Sequence, residues 1–481
     1  MSRALYERIK NLIILILVVA GILQVGILVG YQSQWTPTNF IWGLFNPPLQ
    51  MSDEEVRDRL FTPSRLILSN GEKLCAVDKT DEIYGNIWKE AQNDLRSAEK
   101  GTGGLKLSGK MWDNLIVKKG IVIDIGYPMK PELLKWFLGA DKMNIDTPDI
   151  LKIMINPDIV DTGTGVIYIC DSSKRVYESG TVVFGTGPDL EQVYASVFGN
   201  EKYRLYNTLR SANIDTAIGA AGDILFVNSG QKYWPYYEYN CKIPVKVKKS
   251  DEFARILLGN EKDRYKVINS KADDMTRYAN SSVSSSKAND MIQYEYDNNI
   301  YRYYSDGYLT YQYLDTAYSS EKEGMTGALL NAYNFIYRIN QLSDSTAEII
   351  LTNIAEMRQG VYNISFDYYL NGLPARLGPD IRAGNGNKPE HAINIQADSK
   401  RILKCDWLLR DFNQTGKNNY NDRLLDVMSL AGNEFDARKM EIDDVLTGYY
   451  IESENDEKLM PKLLIELKDK TTIQIEMPKG D

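Results

Sequence analysis

Residues 11–31 read NLIILILVVAGILQVGILVGY and contain no charged side chain. At a rise of about 1.5 Å per residue, a helix of this length measures roughly 30 Å, which matches the hydrocarbon thickness of a bilayer. A cleavable signal peptide has a shorter apolar region that ends in an A-x-A-like site, and neither feature is present. The segment therefore predicts a transmembrane helix that stays in the protein.

The charges that flank this helix predict its orientation. Basic residues precede it, and the first charge after it is Asp53. The positive-inside rule then predicts a cytoplasmic tail over residues 1–10, with the bulk of a single-pass membrane protein outside the cytoplasm.

Three residues of the predicted helix are candidates for partner binding. Gly26 and Gly30 form a G-x-x-x-G step that lets another helix approach closely, and Gln24 places a polar side chain in an apolar segment. Glycine is also common in membrane helices, so the pattern is compatible with a helix that has no partner.

Composition excludes several classes of function. A net charge of −9 without basic clusters argues against nucleic acid as a partner. The single histidine, His391, excludes any site built on a histidine pair. The four cysteines are far apart and predict neither a zinc site nor any other cofactor, while burial as free thiols is favoured over disulfides without excluding them. Their positions are Cys75, Cys170, Cys241 and Cys405.

Short turns between apolar runs predict a series of β-hairpins. One group of turns lies in the tyrosine-rich stretch 291–314, which predicts a meander of strands. The predicted turns are at Asn70–Gly71, Ser172–Ser173, Asn298–Asn299, Asp306–Gly307, Asn371–Gly372, near Asp398, and Asp469–Lys470.

Helical patterns alternate with these hairpins. Ile83, Ile87, Ala91 and Leu95 recur every four residues and predict an amphipathic helix, and a second helix is predicted over 321–340. Further strands are predicted at 114–125 and 150–157. Antiparallel hairpins with packed helices define the α+β class.

At 481 residues, the chain is long enough for about three domains in addition to the helix. Prolines followed by an acidic run predict a stalk over residues 32–62. The outer part is predicted to divide into domains at 63–202, 203–320 and 321–481.

No complete catalytic set is present in the sequence. The S-x-x-K triplets lack the K-T-G and S-D-N companions of penicillin-binding enzymes. The neighbouring acids Asp443 and Asp444 are interpreted as solvated, because adjacent residues of a strand point to opposite faces. The chain is therefore predicted not to be an enzyme. A binding module for wall polymer, using the tyrosine meander, and an envelope hydrolase with an unrecognised acid pair are the alternatives.

The order of these features resembles the YycH family and its shorter relative YycI, which regulate the YycG (WalK) sensor histidine kinase in low-GC Gram-positive bacteria. The resemblance rests on the N-terminal helix, the tyrosine-rich meander and several stretches of sequence. These are TPSRLILSNGEKLCAVDKTDEIYGNIWKEA, FDYYLNGLPARL, HAINIQADSKRIL and IDDVLTGYYIES.

The resemblance implies a non-enzymatic membrane protein of a two-component signal-transduction system. Its partners would be the sensor histidine kinase, a YycI-like relative and the membrane. The regions 203–320 and 321–481 would then be a central and a C-terminal YycI-like domain, and contacts of the membrane helix and outer domains would modulate the kinase.

Overall fold

The first fifty residues, which include the predicted membrane helix, lie outside the part of the chain that the computed structural model describes. None of the helices in the described part is both long enough and apolar enough to span a bilayer. The structure describes residues 51–481 except 78, 99–103, 158–162, 185–189, 201–202, 209–223, 230–231, 245–253, 255, 259–264, 271–290, 315–323, 379–380, 382–388, 425, 428–440, 454–455, 470 and 481.

Residues Asp53–Asp481 form one compact unit. Its described helices are α1 (Asp53–Leu60), α2 (Tyr84–Ser97), α3 (Trp112–Leu115), α4 (Pro131–Leu138), α5 (Leu190–Phe198) and α6 (Met325–Ile339), followed by a 3-10 turn at Asn340–Leu342. The strands of the first half are β1 (Arg65–Ser69), β2 (Leu74–Val77), β3 (Lys106–Leu107), β4 (Gly120–Met129), β5 (Ile150–Pro157), β6 (Thr164–Cys170), β7 (Val176–Glu178), β8 (Val182–Val183), β9 (Leu205–Thr208), β10 (Leu225–Ser229) and β11 (Trp234–Lys242).

The remaining strands are β12 (Lys266–Ser270), β13 (Met291–Tyr296), β14 (Asn299–Tyr304), β15 (Tyr308–Tyr313), β16 (Glu348–Arg358), β17 (Val361–Leu370), β18 (Leu373–Leu377), β19 (Ile393–Ala397), β20 (Ile402–Leu408), β21 (Asp411–Tyr420), β22 (Ile442–Ile451), β23 (Asp456–Leu459), β24 (Lys462–Leu467) and β25 (Thr472–Glu476).

The first sheet contains β1 to β10 in the order β10-β9-β2-β1-β4-β5-β6-β7-β3, with β8 beside β6. Its hairpin β1/β2 turns at Asn70–Gly71, as predicted, and Gly71 takes a φ of +95° that a residue with a Cβ rarely adopts. One face of the sheet is a core in which Ile67, Val122 and Met154 are at most 1% exposed. The apolar residues of these strands therefore explain why they assemble into a sheet with a buried face.

The third sheet contains the meander and the C-terminal hairpins. Its order is β12-β13-β14-β15-β20-β19-β17-β18-β22-β24-β25, with β16 beside β17. Adjacent strands are antiparallel except for β18 and β22, which run parallel. A small second sheet, β21-β11-β23, joins β11 from the middle of the chain to two strands of its C-terminal part. The α+β class with mainly antiparallel sheets is therefore confirmed.

Helix α2 follows the predicted spacing, because Ile87, Ala91 and Leu95 are all buried along one face. Within the range predicted as a stalk, residues Asp53–Leu60 form α1, which buries Val56 and Leu60. The predicted strand at 114–125 is wrong in its first part, because Trp112–Leu115 form the short helix α3 and β4 begins only at Gly120. A short apolar run does not distinguish a helical turn from a buried strand.

All four cysteines are buried free thiols, so the favoured interpretation of the sequence holds. Burial raises the pKa of the Cys241 thiol to about 12. A thiol without an ionised form near neutral pH behaves as a small apolar core residue. The domain boundaries at 202/203 and 320/321 stay predictions, although strands from before and after residue 320 share the third sheet.

Candidate functional site

A cavity of about 830 Å³ lies between the first and third sheets. Strands β1, β2 and β4 border it on one side, and β16, β18 and β22 border it on the other. We call this cavity the inter-sheet cleft. Its volume lies within the range of ligand-binding pockets, which makes it the main candidate site of the described chain.

Arg65 connects the two walls of the cleft. Its Nη2 lies 2.8 Å from Oδ2 of Asp124 in the first sheet and 2.8 Å from Oδ2 of Asp444 in the third, and Nη1 donates to Oδ1 of Asp444 at 3.1 Å. Burial alone lowers the pKa of Arg65, but the two carboxylates outweigh burial and raise it. Arg65 therefore holds the sheets together as a fixed charge.

A second network belongs to the third sheet. Arg376 donates from Nε to Glu466 at 2.8 Å, and its Nη1 lies 3.5 Å from Oδ2 of Asp367. The same Oδ2 is 2.9 Å from Nδ1 of His391, and Oδ1 accepts the backbone N–H of Ala392 at 2.9 Å. The buried Asp367 carboxylate is thereby satisfied from three sides.

These contacts give opposite pKa shifts in Asp367 and His391. Burial raises the pKa of Asp367, but hydrogen bonding and charge from His391 outweigh burial and leave the pKa below its ordinary value. Burial lowers the pKa of His391, but Asp367 more than compensates and leaves that pKa raised. Both shifts favour the ionised pair.

The stability of the chain should depend on pH through this pair. Because the folded pKa of His391 is raised, its contribution is complete below the unfolded value of about 6.5 and is lost as pH rises through the folded pKa. The contribution of Asp367 is present above an unfolded value near 3.8 and is lost as acid protonates it. We expect urea titrations above pH 6.5 to show falling stability with rising pH.

His391→Gln should abolish this slope, because the chain has no other histidine. Glu132 is an exposed residue of α4 outside the cleft, so Glu132→Gln should retain the slope of stability against pH. An unchanged slope in His391→Gln would show that another group titrates.

A third buried network contributes Arg204 and Asp422 to the lining of the cleft. Nη1 of Arg204 lies 3.0 Å from Oδ2 of Asp422, and the hydroxyl of Tyr236 bonds to both residues. The side chains of Arg204 and Asp422 are 6% and 1% exposed, so both charges depend on this pairing.

Lys79 and Glu348 form a further ion pair across the cleft, at its exposed side. Every described basic side chain that lines the cleft is thus paired with an acid.

No group of three or more His, Cys, Asp or Glu side chains in the described ranges is arranged to hold a metal ion. Of the predicted acid pair, Asp443 is exposed as expected, but Asp444 is half-buried in the Arg65 network. The interpretation of Asp444 as a solvated acid is therefore wrong, because the opposite wall of the cleft supplies a guanidinium.

The predicted partner-binding residues Gln24, Gly26 and Gly30 lie outside the described residues. The tyrosine meander does not form an exposed platform, because six of its tyrosines are at most 7% exposed. They are Tyr294, Tyr301, Tyr303, Tyr304, Tyr308 and Tyr311. Their positions in the sheet make them core residues, which removes the main support for polymer binding through this stretch.

Comparison with known proteins gives a likeness to solved structures, but not to family models or curated sequences. The crystal structure of YycH from Bacillus subtilis superimposes with a TM-score of 0.53 at 11% sequence identity, covering 88% of this chain and 97% of that chain. The alignment therefore includes most of the described unit. The chain is YycH-like in its fold.

Proposed function

We propose that this chain is a membrane-anchored extracytoplasmic regulator that modulates a sensor histidine kinase of cell-envelope homeostasis. The observation that carries the proposal is the YycH-like fold, which extends over most of the chain. The uncharged segment 11–31 supports anchoring, with the N-terminus in the cytoplasm. A YycI-like relative is the second partner that the proposal includes.

A regulator of this kind acts by binding one state of its partner more tightly than another. That requires a contact surface in the membrane and an outer part that holds its shape. Gly26 and Gly30 supply a close-approach surface on the predicted helix. The outer unit is stiffened by ion pairs between its sheets, Arg65 with Asp444 and Lys79 with Glu348.

Photocrosslinking in intact cells tests the membrane contact. At about 100° per residue, Val19 shares a helix face with Gly26 and Gly30, whereas Leu28 lies on the side of Gln24. A photoreactive side chain at each position should capture different proteins if the two faces have different partners. We expect capture of a histidine kinase from at least one position, identified by mass spectrometry.

Two glycine variants provide the matched comparison. Gly26→Leu with Gly30→Leu should reduce capture from Val19 about tenfold, because the added side chains separate the helices. The same variant should change kinase autophosphorylation in membranes. Gly21→Leu, which faces away from Gly26, should leave this capture unchanged. Failure to capture any histidine kinase from either position would contradict the proposal.

A further inference from the structure

The inter-sheet cleft carries an excess of negative charge. Among the described residues that line it, nine are carboxylates and four are arginine or lysine, which leaves a charge of −5 with His391 neutral. All four basic side chains are paired within the cleft. Glu390, Asp443 and Asp469 have no lysine or arginine partner in the described part of the chain. A cleft with one sign of charge and low-dielectric walls concentrates ligands of the opposite sign.

The lining also contains buried polar atoms that the described residues leave without a hydrogen bond. They are the hydroxyls of Tyr84 and Tyr127 and Oδ1 of Asp422, in residues that are 8%, 4% and 1% exposed. Each of these atoms can accept a hydrogen bond. A buried acceptor without a partner is costly, so a ligand rich in N–H donors would gain from reaching these atoms.

One wall of the cleft is the edge of a strand. Strand β16 pairs with β17 on one side, and no described strand pairs with its other side. The consecutive residues Ile350, Leu351, Thr352 and Asn353 all line the cavity. The pairing of β16 with β17 shifts register between Leu351 and Asn353, and this bulge turns consecutive side chains of the strand edge toward the cavity. An unpaired edge is a template for a further strand.

Apolar side chains line other parts of the cleft. Leu66 of β1, Leu373 of β18 and Leu446 of β22 are among them. A ligand that fits therefore combines positive charge, apolar groups and main-chain hydrogen bonding. A small polyamine has positive charge and methylene groups but no main chain, whereas an extended peptide has all three properties.

We propose that the inter-sheet cleft binds an extended peptide segment of a partner protein, which pairs with the edge of β16 and places lysine or arginine side chains against the cleft carboxylates. This site is separate from the membrane-helix contact, so it stands or falls independently of the kinase proposal. Apolar side chains of the same segment contact the leucines of the walls.

The test uses the full chain in lipid nanodiscs and a fluorescent peptide of alternating lysine and valine, about six residues long. At about 3.3 Å per residue, such a strand extends roughly 20 Å. Fluorescence anisotropy at low ionic strength gives Kd. We expect saturable binding that weakens as salt is added, because salt screens the attraction. A glutamate and valine peptide of equal length should not bind.

Two double variants locate the binding surface. Asp443→Asn with Glu390→Gln removes two exposed cleft charges without breaking an ion pair with any lysine or arginine of the described chain, and should raise Kd about tenfold. Asp58→Asn with Glu457→Gln removes two exposed acids outside the cleft and should change Kd less than about twofold.

Further peptides distinguish strand pairing from simple charge attraction. Methylation of alternate backbone nitrogens removes main-chain donors but keeps the lysine charges, and should weaken binding about tenfold or more. The proposal is overturned by equal binding of the methylated peptide, by equal Kd values of the two double variants, or by spermidine competing as strongly as the peptide. Absence of peptide binding up to about 1 mM would overturn it as well.

Discussion

Arg65→Met is expected to lower the free energy of unfolding by about 3 to 5 kcal/mol. This is the range for removing one partner of a buried ion pair and leaving the other partner unpaired. The side chain of Asp124 is 6% exposed and that of Asp444 is 25% exposed. Methionine retains much of the arginine stem, so packing changes little. The main loss is the pairing of two carboxylates that then repel each other across the cleft.

Urea unfolding followed by tyrosine and tryptophan fluorescence measures this loss. Lys468→Met breaks an ion pair whose partners are 46% and 53% exposed, and should cost less than about 1 kcal/mol. Adding Asp124→Asn and Asp444→Asn to Arg65→Met should restore part of the stability, since the unpaired charges are gone. A loss below about 1 kcal/mol for Arg65→Met would mean that water solvates both acids adequately.

The hairpins could be predicted from sequence because their signals are local. Asn371–Gly372 has φ values of +51° and +80°, the geometry that an Asn-Gly pair favours in a two-residue hairpin. The meander shows the limit of such signals. The sequence predicts its first turn at Asn298–Asn299, but β13 ends at Tyr296 and β14 begins at Asn299.

The one-residue difference in that turn has a physical cause. Asp297 adopts a φ of +52°, which Asp and Asn both tolerate, so the DNN sequence permits either turn. Pairing of Tyr294 with Tyr301 fixes the register, because the chosen alignment buries both rings. The choice is therefore made by packing and not by the turn residues.

The cleft could not be predicted because its contacts are distant in sequence. Arg65 and Asp444 are separated by 379 positions, and Arg204 and Asp422 by 218. Nothing local marks an arginine on an apolar strand as one half of a buried pair. Asp367 had a weak signal, since a charged residue within the apolar run of β17 must find partners if buried.

Trp407→Ala should cost about 3 to 5 kcal/mol, the range for removing a buried aromatic side chain. Trp407 is fully buried, and its Nε1 donates to the hydroxyl of Tyr368 at 2.8 Å. It lies on β20, where it pairs with Leu309 of β15 on one side and Ile393 of β19 on the other. Strand β20 thus connects the meander to the C-terminal half of the third sheet.

Loss of the ring at this junction should loosen the meander before the rest of the sheet. Backbone amides of β13 to β15 are then expected to exchange hydrogen faster in Trp407→Ala, while those of β1 and β4 in the first sheet keep their protection. Trp136→Ala removes a half-buried tryptophan from α4 and should cost less, about 1 to 2 kcal/mol, without this pattern. Uniformly faster exchange in both sheets of Trp407→Ala would contradict this expectation. It would show that the unit Asp53–Asp481 unfolds cooperatively as a whole, so that β20 does not stabilise the meander separately.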